Sequence, residues 1–182
     1  MFSQKLIALV AAALPVLAAP SIPGFTLTWS DDFNGPANSL PNSANWLIDV
    51  GTSYPGGPAN WGTGEIQTYT NSPNNIKLTG DGVLQITPLK EASGRWTSAR
   101  IETQRNNFQA QEGRKMRIQA RIIMPQVGGQ EAIGYWPAFW TLGGNYRGNY
   151  QNWPSVGEFD IMENVRNYGL SMISNSPTES HF

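Results

Sequence analysis

Short runs of alternating apolar and polar residues, divided by Gly, Pro, Asn and Ser, dominate this chain. Met116, Ile118, Ala120, Ile122 and Met124 alternate with Arg117, Gln119 and Arg121 until Pro125 interrupts them. A period of two is that of a strand with one buried face. Ala99, Ile101 and Thr103 alternate with Arg100, Glu102 and Gln104 in the same way. Ile76 to Thr79 and Val83 to Thr87 flank Gly80-Asp81-Gly82, which predicts two strands joined by a tight turn. No long segment of the mature chain keeps a helical period. Many short strands bounded by turn residues predict an all-β fold, a β-sandwich or jelly roll.

The run Gly157-Glu158-Phe159-Asp160-Ile161-Met162-Glu163-Asn164 interleaves three carboxylates with apolar side chains. On a regular strand Glu158 and Asp160 share one face, and Phe159 and Ile161 share the other. Glu163 then has the wrong parity and would turn into the core, where an unpaired charge is costly. One extra residue near Ile161-Met162, a β-bulge, returns Glu163 to the face of the other two acids. A helix fits less well, because Glu158 would lie nearly opposite Asp160. The regular alternation predicts that the face of Phe159 and Ile161 is buried.

A solvated charged face and a calcium site are competing explanations for the acids, although the EF-hand pattern is absent. Retaining glycoside hydrolysis is the chemistry that needs two carboxyl groups about 5–5.5 Å apart, one as nucleophile and one as acid/base. Across the bulge Glu158 and Glu163 lie roughly 13 Å apart at Cα, so their side chains have to lean together. An anion at Asp160 would disfavour ionisation of Glu163 and keep a proton available for a leaving group.

Composition narrows the setting of this strand. Lys5 followed by the apolar run Leu6 to Leu17 predicts a signal peptide cleaved after Ala18. The run is shorter than a membrane span needs and contains Pro15. The expected location is therefore secreted, extracellular or cell wall, with no membrane attachment after cleavage. Residues 19–182 are expected to form one domain. With no Cys, the fold relies on core burial without disulfides, and no Asn-x-Ser/Thr glycosylation sequon occurs.

A net charge of −1 gives no general attraction to nucleic acid. The stretch from Lys90 to Arg121 is locally basic, but its charges alternate with apolar residues as on a solvated strand face. Abundant aromatics and amides with few charges suit an uncharged polymer bound by stacking and neutral hydrogen bonds, such as a polysaccharide. The loop from Gly51 to Gly64 carries Tyr54 and Trp61 among its turn residues, as a binding loop would. In Trp136-Pro137-Ala138-Phe139-Trp140, both Trp fall on one strand face and suit either a core or a sugar platform.

Together these segments resemble glycoside hydrolase family 16. The acidic run matches that family's bulged Glu-x-Asp-x-x-Glu signature as Glu158-Phe159-Asp160-Ile161-Met162-Glu163. Trp29-Ser30-Asp31-Asp32-Phe33, Trp61 to Tyr69, Ser98 to Ile101 and Trp136 to Trp140 resemble its other landmarks in order. The similarity spans roughly Phe25 to Val165 and is nearest to secreted fungal endo-1,3(4)-β-glucanases and laminarinases.

The resemblance implies a concanavalin A-like jelly-roll β-sandwich with a concave cleft, acting on β-glucan with retention; no cofactor and no metal in the site are expected, and a calcium ion on the far side of the sandwich is an open alternative. It makes Glu158 the nucleophile, Glu163 the acid/base and Asp160 the assisting carboxylate. Trp136 and Trp140 become cleft aromatics, while Arg100, Asn60 and Glu65 fall where the family lines its donor subsites. Arg100 could instead be a surface ion-pair partner of an acid such as Glu102. Family members continue beyond the signature, so a chain stopping at Phe182 is expected to be incomplete at its C-terminus, with His181 no replacement for the family's cleft His. Carbohydrate binding without turnover, and transglycosylation, remain open alternatives, and a monomer is expected.

Overall fold

The computed structural model describes residues 19–167 and 170–173. The predicted signal segment, residues 1–18, and His181 lie outside the described residues. The described chain is all-β, with ten strands and three short 3-10 turns, Ala59–Gly62, Gly129–Ala132 and Gly144–Tyr146. No helix among the described residues is long and apolar enough to cross a membrane.

Four ladders organise the strands. Strands β1 (Trp46–Asp49) and β7 (Arg100–Thr103) pair antiparallel. Strands β3 (Ile76–Leu78) and β4 (Leu84–Ile86) form the predicted hairpin, with Leu78 opposite Leu84. Strand β6 (Trp96–Ser98) lies between β2 (Thr68–Tyr69), to which it is parallel, and β5 (Leu89–Lys90), to which it is antiparallel. Finally β9 (Glu158–Asn167) runs antiparallel to both β8 (Ala138–Leu142) and β10 (Leu170–Ile173).

The most buried side chains come from the β3–β4 hairpin, two of the 3-10 turns and the junction of β6 and β7. Ile76 and Ala132 are fully buried, and Leu78, Trp61 and Ala99 are nearly so. Asn75 is a buried amide whose demands are met. Its Nδ2 donates to the Thr87 carbonyl at 3.0 Å and to Thr97 Oγ1 at 3.1 Å, while its Oδ1 accepts from Thr70 Oγ1 at 2.6 Å. A satisfied polar group of this kind ties the β3–β4 hairpin to β6 at little desolvation cost.

The Trp29 to Phe33 landmark anchors β1. Asp31 accepts from Trp46 Nε1 at 2.8 Å, from Asn45 Nδ2 at 2.9 Å and from the Phe33 amide at 2.8 Å. Trp29 meets Trp46 edge-on, and Phe33 stacks on the same indole. The motif therefore fixes where β1 enters the fold.

Two expectations fail. The alternating run Met116 to Met124 forms no ladder among the described residues, and Met116, Ile118, Ile122 and Ile123 are exposed. Alternation prepares a face, but a strand needs a neighbour for its amides and carbonyls, and no described segment provides one. Likewise the reverse face of β9 is not sealed, because Phe159 is 49% exposed.

Candidate active site

The acidic strand takes the geometry that its parity demanded. Along β8 and β9, Leu142 faces Glu158, Thr141 faces Phe159 and Trp140 faces Asp160. The register then shifts, so that Phe139 faces Met162 and Ala138 faces Glu163. Ile161 is the residue passed over, which places the bulge where the sequence required it. Because Ala138, Trp140 and Leu142 share one face of β8, Glu158, Asp160 and Glu163 share that face of β9. All three acids stand together with Trp140.

Two indoles engage the outer acids. Trp136 Nε1 donates to Glu163 Oε1 at 2.9 Å, and Trp153 Nε1 donates to Glu158 Oε2 at 2.8 Å. Both Trp are exposed, at 44% and 60%, so each offers a ring surface to solvent while its N–H fixes a carboxylate. Trp136 is thus neither core nor within the strand, since β8 begins at Ala138.

Trp153 was not among the residues selected from sequence. The turn that delivers it runs from Asn152 to Gly157, closed by Val156 N–H to Asn152 O at 3.2 Å and Gly157 N–H to Pro154 O at 3.0 Å. Gly157 adopts φ +82°, a conformation glycine tolerates. Gly143 donates to the Gly157 carbonyl at 2.9 Å and lies so close to Val156 that a Cβ would overlap the Val156 carbonyl. A turn breaks strand periodicity, so only the nearness of Trp153 to the acidic run hinted at its place.

Partial desolvation raises the Glu158 pKa from its ordinary value, and the charges of Asp160 and Glu163 push in the same direction. The Trp153 bond and Arg100 work against that rise. The face thus disfavours the charged form of Glu158.

Arg100 reaches this face from β7. Its guanidinium lies 4.8 Å from the ring centroids of both Trp140 and Trp61 and 5.6 Å from that of Tyr54. Its ion-pair partner is Asp49, at 3.3 Å, rather than Glu102. Glu102 pairs instead with Arg147 at 2.7 Å. The neighbouring-acid expectation fails because Glu102 is on the same strand, whereas Asp49 is directly across the ladder from Arg100.

Glu65 and Asn60 are placed differently from each other. Glu65 accepts from Tyr69 Oη and from Thr63 Oγ1, and belongs to the charged surroundings of Arg100. Asn60 is exposed at φ +51°, and its carbonyl accepts from the amides of Thr63, Gly64 and Glu65 at 3.1–3.3 Å. Asn tolerates that left-handed backbone better than most residues, so its visible task is to form the turn that precedes Glu65. Among the described residues no group of three or more His, Cys, Asp and Glu side chains is arranged to hold a metal ion.

With this geometry in place, similarity to known proteins is informative. No protein-family model matches the chain. The crystal structure of an endo-1,3-β-glucanase from Streptomyces sioyaensis superposes with a TM-score of 0.76 at 54% identity, over 81% of this chain and 54% of that one. The chain has the jelly-roll β-glucanase fold. Among curated relatives, a β-glucanase of Rhodothermus marinus is 36% identical over 79% of this chain. A glucan endo-1,3-β-glucosidase A1 of Niallia circulans is 30% identical, also over 79%. The chain spans 45% and 20% of those two relatives' lengths.

Proposed function

We propose that this chain belongs to glycoside hydrolase family 16 and provides the acidic strand of a secreted endo-acting β-glucanase. The observation carrying this reading is the bulge at Ile161, which gathers Glu158, Asp160 and Glu163 on one face with an indole N–H on each glutamate. The substrate class comes from the glucanase relatives and the exposed rings of Trp136 and Trp153, which suit the apolar faces of pyranose sugars. The bonds cleaved are β-1,3 linkages or those of mixed β-1,3/1,4-glucan.

In the proposed reaction the Glu158 carboxylate attacks the anomeric carbon while Glu163 gives its proton to the departing glycosidic oxygen. A covalent glycosyl-enzyme forms and the leaving sugar departs neutral. Glu163, now ionised, takes a proton from water as that water attacks the same carbon and releases Glu158, with net retention. Asp160 lies between the two on the strand and sets the local field in which Glu163 gives and regains its proton. Trp153 holds the nucleophile oriented and opposes the rise in its pKa. Trp140 and Arg100 support the adjoining sugar-binding surface, with Glu65 and the Asn60 turn farther along it.

Reducing-end release from laminarin and mixed-linkage β-glucan tests the reading directly. Glu158→Gln and Glu163→Gln are each expected to lower turnover by roughly 10²–10⁴-fold, and azide is expected to restore turnover to Glu158→Gly alone. Laminarin binding by the unaltered folded chain without any turnover would replace hydrolysis by a carbohydrate-binding role, and sugar transfer to an acceptor would replace it by transglycosylation.

A further inference from the structure

We infer that Asp49, a buried residue on β1 remote in sequence from the acidic strand, is a positioning residue that holds the sugar-binding platform through Arg100. The inference deepens the proposed function and rests on it for the identity of the ligand, but the geometry behind it starts from a residue outside the three acids.

Asp49 and Arg100 are directly opposed across the β1–β7 ladder and form an ion pair at 3.3 Å. Asp49 is 9% exposed and also accepts from Tyr54 Oη at 3.2 Å. From this anchor the Arg100 guanidinium extends among the rings of Tyr54, Trp61 and Trp140. Trp140 is the side chain paired with Asp160. A chain of contacts therefore runs from a buried carboxylate on β1 to the platform beside the reacting acids. Trp61 adds to this picture, because it is buried at φ +57°, a costly backbone for a bulky residue that persists only where surroundings enforce it.

Stability does not explain why this carboxylate is there. Burial, assisted by the charge of Glu102, lifts the Asp49 pKa to about 6 although Arg100 pulls it down. The folded chain thus disfavours the charged form, as expected when desolvation outweighs the attraction of a partner. Sign and window follow from linkage: the unfavourable contribution of this group to stability grows as pH rises from the ordinary Asp value to about 6. The charged form is what fixes Arg100 by a charge-assisted bond, so the platform is held firmly above about pH 6 and loosened below it. The other charged and titratable groups around the pair are Tyr54, Glu102 with its partner Arg147, Tyr69 with Glu65 near Arg100, and Tyr146 and Glu158, whose charges Arg100 also feels.

The test compares the full chain with Asp49→Asn, which keeps the shape and removes the charge. Tryptophan emission of the ligand-free protein is expected to change between pH 7 and 5 with a midpoint near 6, and Asp49→Asn is expected to abolish that change. The variant is also expected to melt no lower than the unaltered chain at pH 7, while its KM for laminarin rises about tenfold with a much smaller change in kcat. Asp49→Glu, which retains the carboxylate, should restore the emission transition. A transition that is absent from the unaltered chain, or that survives in Asp49→Asn, overturns the inference; so does a variant that melts lower yet keeps its KM. Failure of the unaltered chain to release reducing ends would instead refute the proposed hydrolysis, since the emission titration needs no substrate.

Discussion

The β9 strand and the stretch from Met116 to Met124 are both alternating segments, and the structure treats them in opposite ways. Strand β9 has neighbours on both sides, β8 and β10, and its register even absorbs an extra residue. The Met116 stretch has a more regular alternation and no ladder among the described residues, with Met116, Ile118, Ile122 and Ile123 exposed. Alternation is a property of one segment, whereas a strand is a property of two. The period of a sequence says which side chains would share a face, and only a partner decides whether that face is used.

The largest effect expected from pressing this comparison is at the bulge. Deleting Ile161 alone leaves Glu163 on the face of Glu158 and Asp160, but deleting Ile161 together with Met162 sends it to the face of Phe159, so turnover of laminarin should then fall by at least about 100-fold, the scale of a displaced catalytic group. Circular dichroism should retain its β signature. Full activity after the double deletion would show that the register of β9 does not control the acids.

A smaller effect is expected at Trp153, where Phe keeps most of the ring and removes the N–H that reaches Glu158. Losing a hydrogen bond to a charged group is worth about 1.5–3 kcal/mol in a buried setting. Glu158 is exposed to water, so the low end applies, and kcat/KM should drop roughly tenfold. The pH profile gives the mechanism. Without the bond, the partial desolvation of Glu158 and the neighbouring carboxylates hold its pKa still higher, so the acid limb of kcat/KM should move to higher pH. For stability the sign is opposite, because a carboxyl whose folded pKa is raised favours the folded state at low pH and loses that contribution as pH rises through the raised value. An unmoved acid limb would reduce Trp153 to a sugar platform only.

The smallest effect is expected on the unpaired side of the comparison. Ile123 is 79% exposed, so Ile123→Ser should change unfolding free energy by less than about 0.5 kcal/mol. A loss of several kcal/mol in a denaturant titration would mean that this stretch is covered in solution and that its alternation serves a buried face after all.

Much of the geometry of the candidate site is legible in the sequence. The parity of Glu163 against Glu158 and Asp160 called for one extra residue, and the ladder passes over Ile161. The hairpin around Gly80-Asp81-Gly82 was equally clear, since both its strands and its turn are local. Trp153 escaped because a turn of the chain separates it from the strand it serves. Asp49 escaped because nothing near Trp46 to Asp49 in sequence mentions Arg100, which is its neighbour only across a ladder. Arg100 was read as a possible partner of Glu102 for the same reason, since sequence proximity stood in for proximity in space.

By itself the sequence determined the all-β character, the face shared by the three acids and the need for a bulge, because each follows from the fixed geometry of successive residues on one strand. Tertiary structure alone decided which strands found partners, which indoles reached which glutamates, and that a carboxylate on β1 would hold an arginine beneath Trp140. Those outcomes depend on hydrogen bonding, burial and charge among residues far apart along the chain, and no local period encodes them.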